Sequence, residues 1–184
     1  MRNTLILTVK QAAAILLKGQ IIAYPTESTY GLGCNALNEK AVHNLYQLKR
    51  RKHNHPFIML IHQKEQAHQL INSQYHGLLK IASNYWPGPV TCLFPASNDC
   101  PKWLIHNGRI ALRISKHPCA DALTASIPFP LISTSANIHG EKTLHQISDI
   151  LDTFPSIGGV VEGQPGNTNP TKIIDLLTGD IHRD

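Results

Sequence analysis

The chain has 184 residues, 42% hydrophobic and 16% charged, a composition that is ordinary for a soluble globular protein. Its net charge of +5 favours anionic partners such as nucleotides or RNA. No apolar stretch approaches the roughly 20 residues of a membrane span, and Lys10 interrupts the N-terminal apolar run before a secretory signal could form. We therefore predict a single cytoplasmic domain over residues 1–184 with no membrane segment.

The first half of the chain predicts short helices and strands with recognisable ends. Thr8 and Gln11 have the spacing of a capping box, and Gly19 ends the helix that follows. Asn38 can cap a second helix, so the basic run 49–52 lies at that helix's C-terminus, where cations suit the helix dipole. The predicted helices cover 12–17, 38–48, 64–72 and 75–85, and the predicted strands cover 21–24 and 57–61.

The second half continues without strict alternation of strand and helix. The run Trp86-Pro87-Gly88-Pro89 ends the last of those helices. The four cysteines are widely spaced; their even count would allow two disulfides, but we predict free thiols. We predict an α/β fold with a twisted mixed parallel/antiparallel open sheet flanked by helices. The predicted strands cover 90–94, 110–114, 130–132, 160–161 and 172–177, and the helices cover 119–126 and 144–151.

Three polar groups each follow a predicted buried strand. They are 26–30, Arg113 with Ser115, and 133–137. Ligands of open α/β sheets gather at strand ends, so these groups are expected to face one cleft. Small hydroxyl residues let backbone N–H groups approach an anion, and Arg113 offers a planar fork for a carboxylate or phosphate. Gly31 and Gly33 are interpreted as turn residues.

Ordinary structural roles remain open for the same residues. Serines and threonines such as those of 133–137 commonly cap helices, and a run such as 49–52 is commonly a solvated helix end. The sequence contains no P-loop, no Rossmann glycine motif, no metal-ligand spacing and no nucleophile elbow. A phosphate site in this chain therefore has to use another arrangement.

The motifs taken together resemble the YrdC/TsaC family. The stretch 25–33 reads PTESTYGLG, 49–51 supplies a Lys-x-Arg, 86–91 reads WPGPVT, and 133–137 reads STSAN. Arg113 lies where the family has an arginine on a strand. An Asn-Pro-Thr at 169–171 and a terminal arginine at 183 complete the order, which spans nearly the whole chain.

This resemblance implies a YrdC-like fold with a concave basic face and L-threonylcarbamoyladenylate synthase activity. Such a nucleotidyltransferase joins ATP, L-threonine and bicarbonate into threonylcarbamoyl-AMP, with Mg²⁺ accompanying the ATP. It releases pyrophosphate and water in the first step of N6-threonylcarbamoyladenosine formation in tRNAs reading ANN codons. TsaB-, TsaD- and TsaE-type proteins are the implied partners, with tRNA or double-stranded RNA as a further partner.

The resemblance also implies roles for individual residues, with no metal ligand among them. Catalysis falls to Lys49 and Arg51, which would face the triphosphate and bicarbonate. The L-threonine pocket would consist of Thr26, Tyr30, Arg113 and Thr171. The ATP site would consist of Lys49, Arg51, Thr91, Ser133, Ser135, Asn137 and Arg183.

The chain departs from the family pattern in its basic run. The family commonly reads Lys-Gly-Arg-Pro or Lys-x-Arg-Pro, whereas Arg50 and Lys52 occupy the second and fourth positions here. The conformation of this loop and any role for His55 are therefore left open. Two alternatives are a non-catalytic RNA-binding module that uses the basic face, and a hydrogenase-maturation domain, whose acylphosphatase and zinc-finger modules are not found in this sequence.

Overall fold

A mixed β-sheet runs through the centre of the computed structural model, which describes residues 6–52, 57–166 and 171–183. Within these residues ten strands are arranged in the order β1-β8-β2-β3-β7-β4-β6-β5-β9-β10. Four neighbouring pairs are parallel and five are antiparallel, which confirms the predicted mixed sheet. The strands are β1 Ile6–Leu7, β2 Ile22–Pro25, β3 Tyr30–Gly33, β4 Ile58–Leu60, β5 Val90–Pro95, β6 Arg109–Arg113, β7 Leu131–Ser135, β8 Val160–Val161, β9 Lys172–Asp175 and β10 Ile181–Arg183.

Helix starts follow the predicted caps. Thr8 and Gln11 form the capping box at the start of α1, and the side chain of Asn38 accepts a hydrogen bond from the backbone N–H of Ala41 at the start of α2. The α-helices are α1 Val9–Leu17, α2 Glu39–Leu48, α3 Leu78–Ala82, α4 Pro118–Ala125 and α5 Ile147–Thr153, and single 3₁₀ turns cover Lys64–Ala67, Ser73–Tyr75 and Lys102–Leu104.

The sheet separates two hydrophobic clusters because successive strand residues point to opposite faces. Met59, Leu112 and Ile132 belong to the larger cluster, on which α2, α3 and α5 pack. Their neighbours Leu60 and Leu131 belong to the smaller cluster, which α1 and α4 cover. By the same alternation, side chains at 113 and 133 point to the face of the smaller cluster.

The glycines near the first motif belong to a strand, so their interpretation as turn residues was wrong. Tyr30–Gly33 forms β3 and pairs with β2 and β7. A Cβ atom on Gly33 would lie 2.5 Å from the carbonyl oxygen of Ile132 and 2.7 Å from the ring of Tyr24. Glycine is required there because the neighbouring backbone and ring approach too closely for a side chain.

Two predicted helices are much shorter in the structure. The 64–72 segment has only one 3₁₀ turn, because Leu70 and Asn72 exchange backbone hydrogen bonds with the end of β5 and the residues after it. The 75–85 helix is reduced to α3. The start of α5 is delayed because the Leu144 N–H bonds to the carbonyl of Ala136. The short edge strands β1 and β10 were not predicted.

The state of the cysteines and the lengths of the helices bear on two predictions made from composition. All four cysteines are free thiols, as predicted. Within the described ranges, no helix combines the length and apolarity that crossing a membrane would take.

Candidate functional site

A cavity of about 330 Å³ opens where the three predicted polar groups meet. It lies on the sheet face to which positions 113 and 133 point. A larger cavity of about 910 Å³ has no arginine or lysine in its lining, so we place the functional site at the smaller one, which offers cations and hydroxyl donors together. The lining of the smaller cavity is Thr26, Ser28, Thr29, Tyr30, Gly31, Arg51, Phe57, Ile58, Arg113, Ser133, Thr134, Ser135, Thr143, Thr171 and Ile173.

The connection between β2 and β3 is a tight turn that presents Thr26. Both the backbone N–H and the hydroxyl of Thr26 donate to the carbonyl of Thr29, at 2.9 and 2.7 Å. The hydroxyl of Tyr30 donates to the carbonyl of Gly163 at 2.6 Å, and the N–H of Gly166 donates to the carbonyl of Thr26 at 2.9 Å. The 163–166 segment therefore fastens this turn from outside the sheet.

Arg113, at the end of β6, has a partner inside the protein. It is 4% exposed, and its Nη2 lies 3.4 Å from Oε2 of Glu27. The other carboxylate oxygen of Glu27 accepts from the hydroxyl of Ser115 at 2.7 Å and from the N–H of Lys116 at 2.9 Å. Burial opposes ionisation of Glu27, but Arg113 and these hydrogen bonds lower the pKa of the carboxyl below its ordinary value.

The guanidinium of Arg51 reaches the cavity from the end of α2. It lies 4.8 Å from the centroid of the Phe57 ring, and that ring lies 4.3 Å from the Tyr46 ring between centroids. Burial lowers the pKa of Arg51. Arg50, just before it, has a φ of 51°, so this position, which the family often fills with glycine, takes a left-handed conformation here.

Lys49 is predicted to face the triphosphate, yet its ammonium group lies behind the cavity wall. It is 2% exposed, and Nζ donates to the carbonyls of Ser135 and Asn137 at 2.5 and 2.7 Å and to Oδ1 of Asn137 at 3.1 Å. Burial, and then Arg51, lower the pKa of Lys49 to about 7. The hydroxyl of Ser135 also donates to Oδ1 of Asn137, at 2.7 Å. Lys49 thus holds the 135–137 loop in place.

The other predicted site residues divide between the cavity and its surroundings. Ser133, Ser135 and Thr171 line it. Thr91 is fully buried, outside the lining, and its hydroxyl has no hydrogen-bond partner among the described residues. Asn137 is also outside the lining. The side chain of Arg183, His55 and the Asn-Pro of 169–171 lie outside the described part of the structure.

Sequence reasoning missed Glu27 and Thr143 as site residues. Glu27 stands inside the first motif, where an acidic residue between two hydroxyl residues is a signal for an arginine partner. Thr143 lines the cavity from an irregular segment without a motif, beside Leu144, whose N–H bonds to the carbonyl of Ala136. No local signal marks it.

Comparisons with known proteins identify the family of the chain. A model of the Sua5/YciO/YrdC family, described as telomere recombination, matches residues 14–183. The threonylcarbamoyl-AMP synthase of Coxiella burnetii (strain RSA 493 / Nine Mile phase I) is 37% identical over 179 residues, which cover 96% of each chain. Among solved structures, P. abyssi Sua5 complexed with L-threonine matches with a TM-score of 0.83 at 29% identity, over 92% of this chain and 51% of that one. E. coli YciO matches with a TM-score of 0.76 at 25% identity, over 91% of this chain and 82% of that one.

Proposed function

Because the chain belongs to the Sua5/YciO/YrdC family, we propose that it is a threonylcarbamoyl-AMP synthase. The observation that carries the proposal is the 37% identity to a relative of that name over 96% of both chains. The reaction joins L-threonine, bicarbonate and ATP into threonylcarbamoyl-AMP and releases pyrophosphate and water, so the enzyme is a nucleotidyltransferase.

The cavity suits a small polar substrate. Its volume of about 330 Å³ is at the lower end of ligand pockets. Arg113 would bind the carboxylate of L-threonine with the guanidinium edge that faces the cavity. Thr26, Tyr30 and Thr171 would surround the rest of the amino acid, which also brings a hydroxyl of its own. The L-threonine in the P. abyssi complex supports this class of ligand.

The chemistry requires fixed positive charge and donors rather than a covalent nucleophile. The amine of L-threonine attacks the bicarbonate carbon, and a C–O bond breaks to release water and leave a carbamate. A carbamate oxygen then attacks the α-phosphate of ATP while pyrophosphate leaves. Arg51 would stabilise the negative charge that collects between carbamate and phosphate.

The ATP side of the site would be built on the end of β7. Ser133 and Ser135 would donate to the α-phosphate, with Asn137, Thr91 and Arg183 completing the nucleotide site. Lys49 would act in catalysis first through the 135–137 loop that it holds, and could reach a phosphate only by giving up one of its oxygen partners.

Mg²⁺ would enter with ATP rather than occupy a site of the protein. Among the described residues, no group of three or more His, Cys, Asp or Glu side chains could hold a metal ion. The cavity lining consists instead of hydroxyl groups and two arginines beside apolar residues. Mg²⁺ commonly stays on substrate phosphates and water, and it would offset triphosphate charge there.

The product is a reactive mixed anhydride, so a second reaction must consume it. We propose that TsaB-, TsaD- and TsaE-type proteins transfer its threonylcarbamoyl group to tRNA in the cytoplasm. Direct contact of this chain with tRNA or double-stranded RNA, through a basic concave face, stays a prediction from the sequence.

The test is pyrophosphate release from ATP with L-threonine and bicarbonate each supplied or withheld. The proposal expects release only when both are present. Arg51→Ala should reduce it by about 100-fold or more, the cost of removing one preorganised charge donor. Arg50→Ala is the matched control, because it removes the same charge from the same run at a residue outside the cavity lining. Absence of turnover beside salt-sensitive RNA binding would instead support the RNA-binding module.

A further inference from the structure

Glu27 is a buried carboxylate that none of the proposed reaction steps uses. It is 9% exposed and lies in the turn between β2 and β3. Both of its oxygens are directed at protein donors, one at Ser115 and Lys116 and the other at Arg113. Burying a carboxylate costs free energy unless its partners compensate the charge. A carboxylate kept at this position beside the cavity is therefore a candidate for a function in the site.

The geometry ties Glu27 to the edge of the site where the substrate carboxylate would bind. Arg113 lines the cavity, and its Nη2 is 3.4 Å from the Glu27 carboxylate. The hydroxyl of Ser115 and the N–H of Lys116 fix the other oxygen at 2.7 and 2.9 Å. An arginine side chain has many rotamers, and a carboxylate held from behind restricts them to the few that keep the ion pair.

We infer that Glu27 is a positioning residue, which holds the guanidinium of Arg113 in the orientation that binds the carboxylate of L-threonine. This inference rests on the proposed function. The Glu27–Arg113 pair is neutral as a whole, so a zwitterionic amino acid can bind beside it without adding net charge. A ligand with a second carboxylate would place an excess anion beside Glu27 and would be rejected.

Glu27→Gln tests the role because an amide cannot replace both oxygens. Whichever way the amide turns, its NH₂ faces a donor, either Arg113 or the pair formed by Ser115 and Lys116. The KM for L-threonine should rise by about tenfold or more, the consequence of weakening one charge-assisted contact. The KM for ATP should stay within about twofold of wild type, since the ATP side is built on β7.

Ser115→Ala is a second variant that leaves the charge of Glu27 in place. It removes one of the two hydrogen bonds to Oε1 of Glu27, leaving the one from Lys116, and should raise the KM for L-threonine by less than Glu27→Gln does. The matched control is Asp175→Asn, which neutralises a buried carboxylate that lies 2.9 Å from Nε of Arg109. Arg109 and Arg113 stand at opposite ends of β6. Asp175→Asn should lower the unfolding temperature and leave both KM values unchanged.

The outcomes separate the inference from the function on which it rests. If wild type releases pyrophosphate only with L-threonine and bicarbonate while Glu27→Gln and Ser115→Ala keep the wild-type KM for L-threonine, the positioning role is overturned and the proposed function stands. Equal rises in both KM values, or a rise also in Asp175→Asn, would mean general loosening of the fold and would likewise overturn the role. A wild-type protein without L-threonine-dependent release would overturn the proposed function and the inference together.

Discussion

Replacing Arg113 by methionine should destabilise the fold through the partner that it leaves behind. The carboxylate of Glu27 would keep its hydrogen bonds from Ser115 and Lys116 but lose the counter-charge of Arg113, in a site where both side chains are at most 10% exposed. Breaking a buried ion pair from one side costs about 3–5 kcal/mol. For a chain of this size that lowers the unfolding temperature by roughly 6–20 °C.

The same reasoning gives the sign of the pH dependence. In the native chain, folding lowers the pKa of Glu27 below its ordinary value of 4.5. Ionised Glu27 therefore stabilises the fold at pH values above 4.5, and this stabilisation is lost as the pH falls through the pKa of the folded state. Without Arg113, burial raises the pKa instead, and protonation then removes the unpaired charge. The deficit of Arg113→Met should therefore shrink from about pH 7 to about pH 5.

Urea unfolding of wild type and Arg113→Met at these two pH values measures the deficit directly. The double variant Arg113→Met/Glu27→Gln should recover part of the stability at neutral pH, because it removes the stranded charge. Arg109→Met is the comparison variant, since Arg109 is 24% exposed against 4% for Arg113, so water already screens this pair in part. A deficit below about 1 kcal/mol, or one that is the same at both pH values, would refute the account of this pair.

Further predictions concern the backbone and one hydroxyl. Arg50→Gly should raise the free energy of unfolding by up to about 1 kcal/mol by relieving the left-handed conformation; a loss in urea titration would show that the Arg50 side chain matters more than its φ. Gly33→Ala should lower that free energy by roughly 1–3 kcal/mol, whereas Gly77→Ala, whose Cβ would meet nothing within 4 Å, should change it little; equal effects would contradict the close packing of β3. Tyr30→Phe removes the 2.6 Å hydrogen bond to the carbonyl of Gly163 and should lower the free energy of unfolding, measured by thermal unfolding, by about 1–3 kcal/mol. An unchanged free energy of unfolding would show that the 163–166 segment does not hold the β2–β3 turn.

Local signals predicted the parts of the fold that depend on neighbouring residues. Thr8 with Gln11 and Asn38 form the caps that their spacing indicates, because a helix cap is completed within a few residues. The 64–72 helix was wrong because the N–H of Asn72 and the carbonyl of Leu70 bond to Pro95 and Ser97, at the end of β5 and just after it, and that choice depends on distant partners. The strand at Tyr30–Gly33 was missed because it forms by pairing with β7, about 100 residues away in the sequence.

The candidate site follows the same division. That 26–30, Arg113 and 133–137 face one cavity could be predicted from their positions after strands. The partner of Arg113 and the burial of Lys49 could not, because both result from contacts across the sheet. From sequence alone the basic run 49–52 is expected to be exposed to solvent. In the structure Lys49 is buried because its ammonium group bonds to oxygens of Ser135 and Asn137.

The strand order has a consequence for how the protein is made. The walls of the cavity come from the β2–β3 turn, from β6 and β7, and from Thr171 and β9. The first and last residues that line it, Thr26 and Ile173, are therefore far apart in the sequence. Contacts of such long range form late in folding, and a chain still emerging from the ribosome has no complete cavity before β9 is synthesised. Substrate can therefore stabilise only finished molecules, and truncated ones gain nothing from its presence.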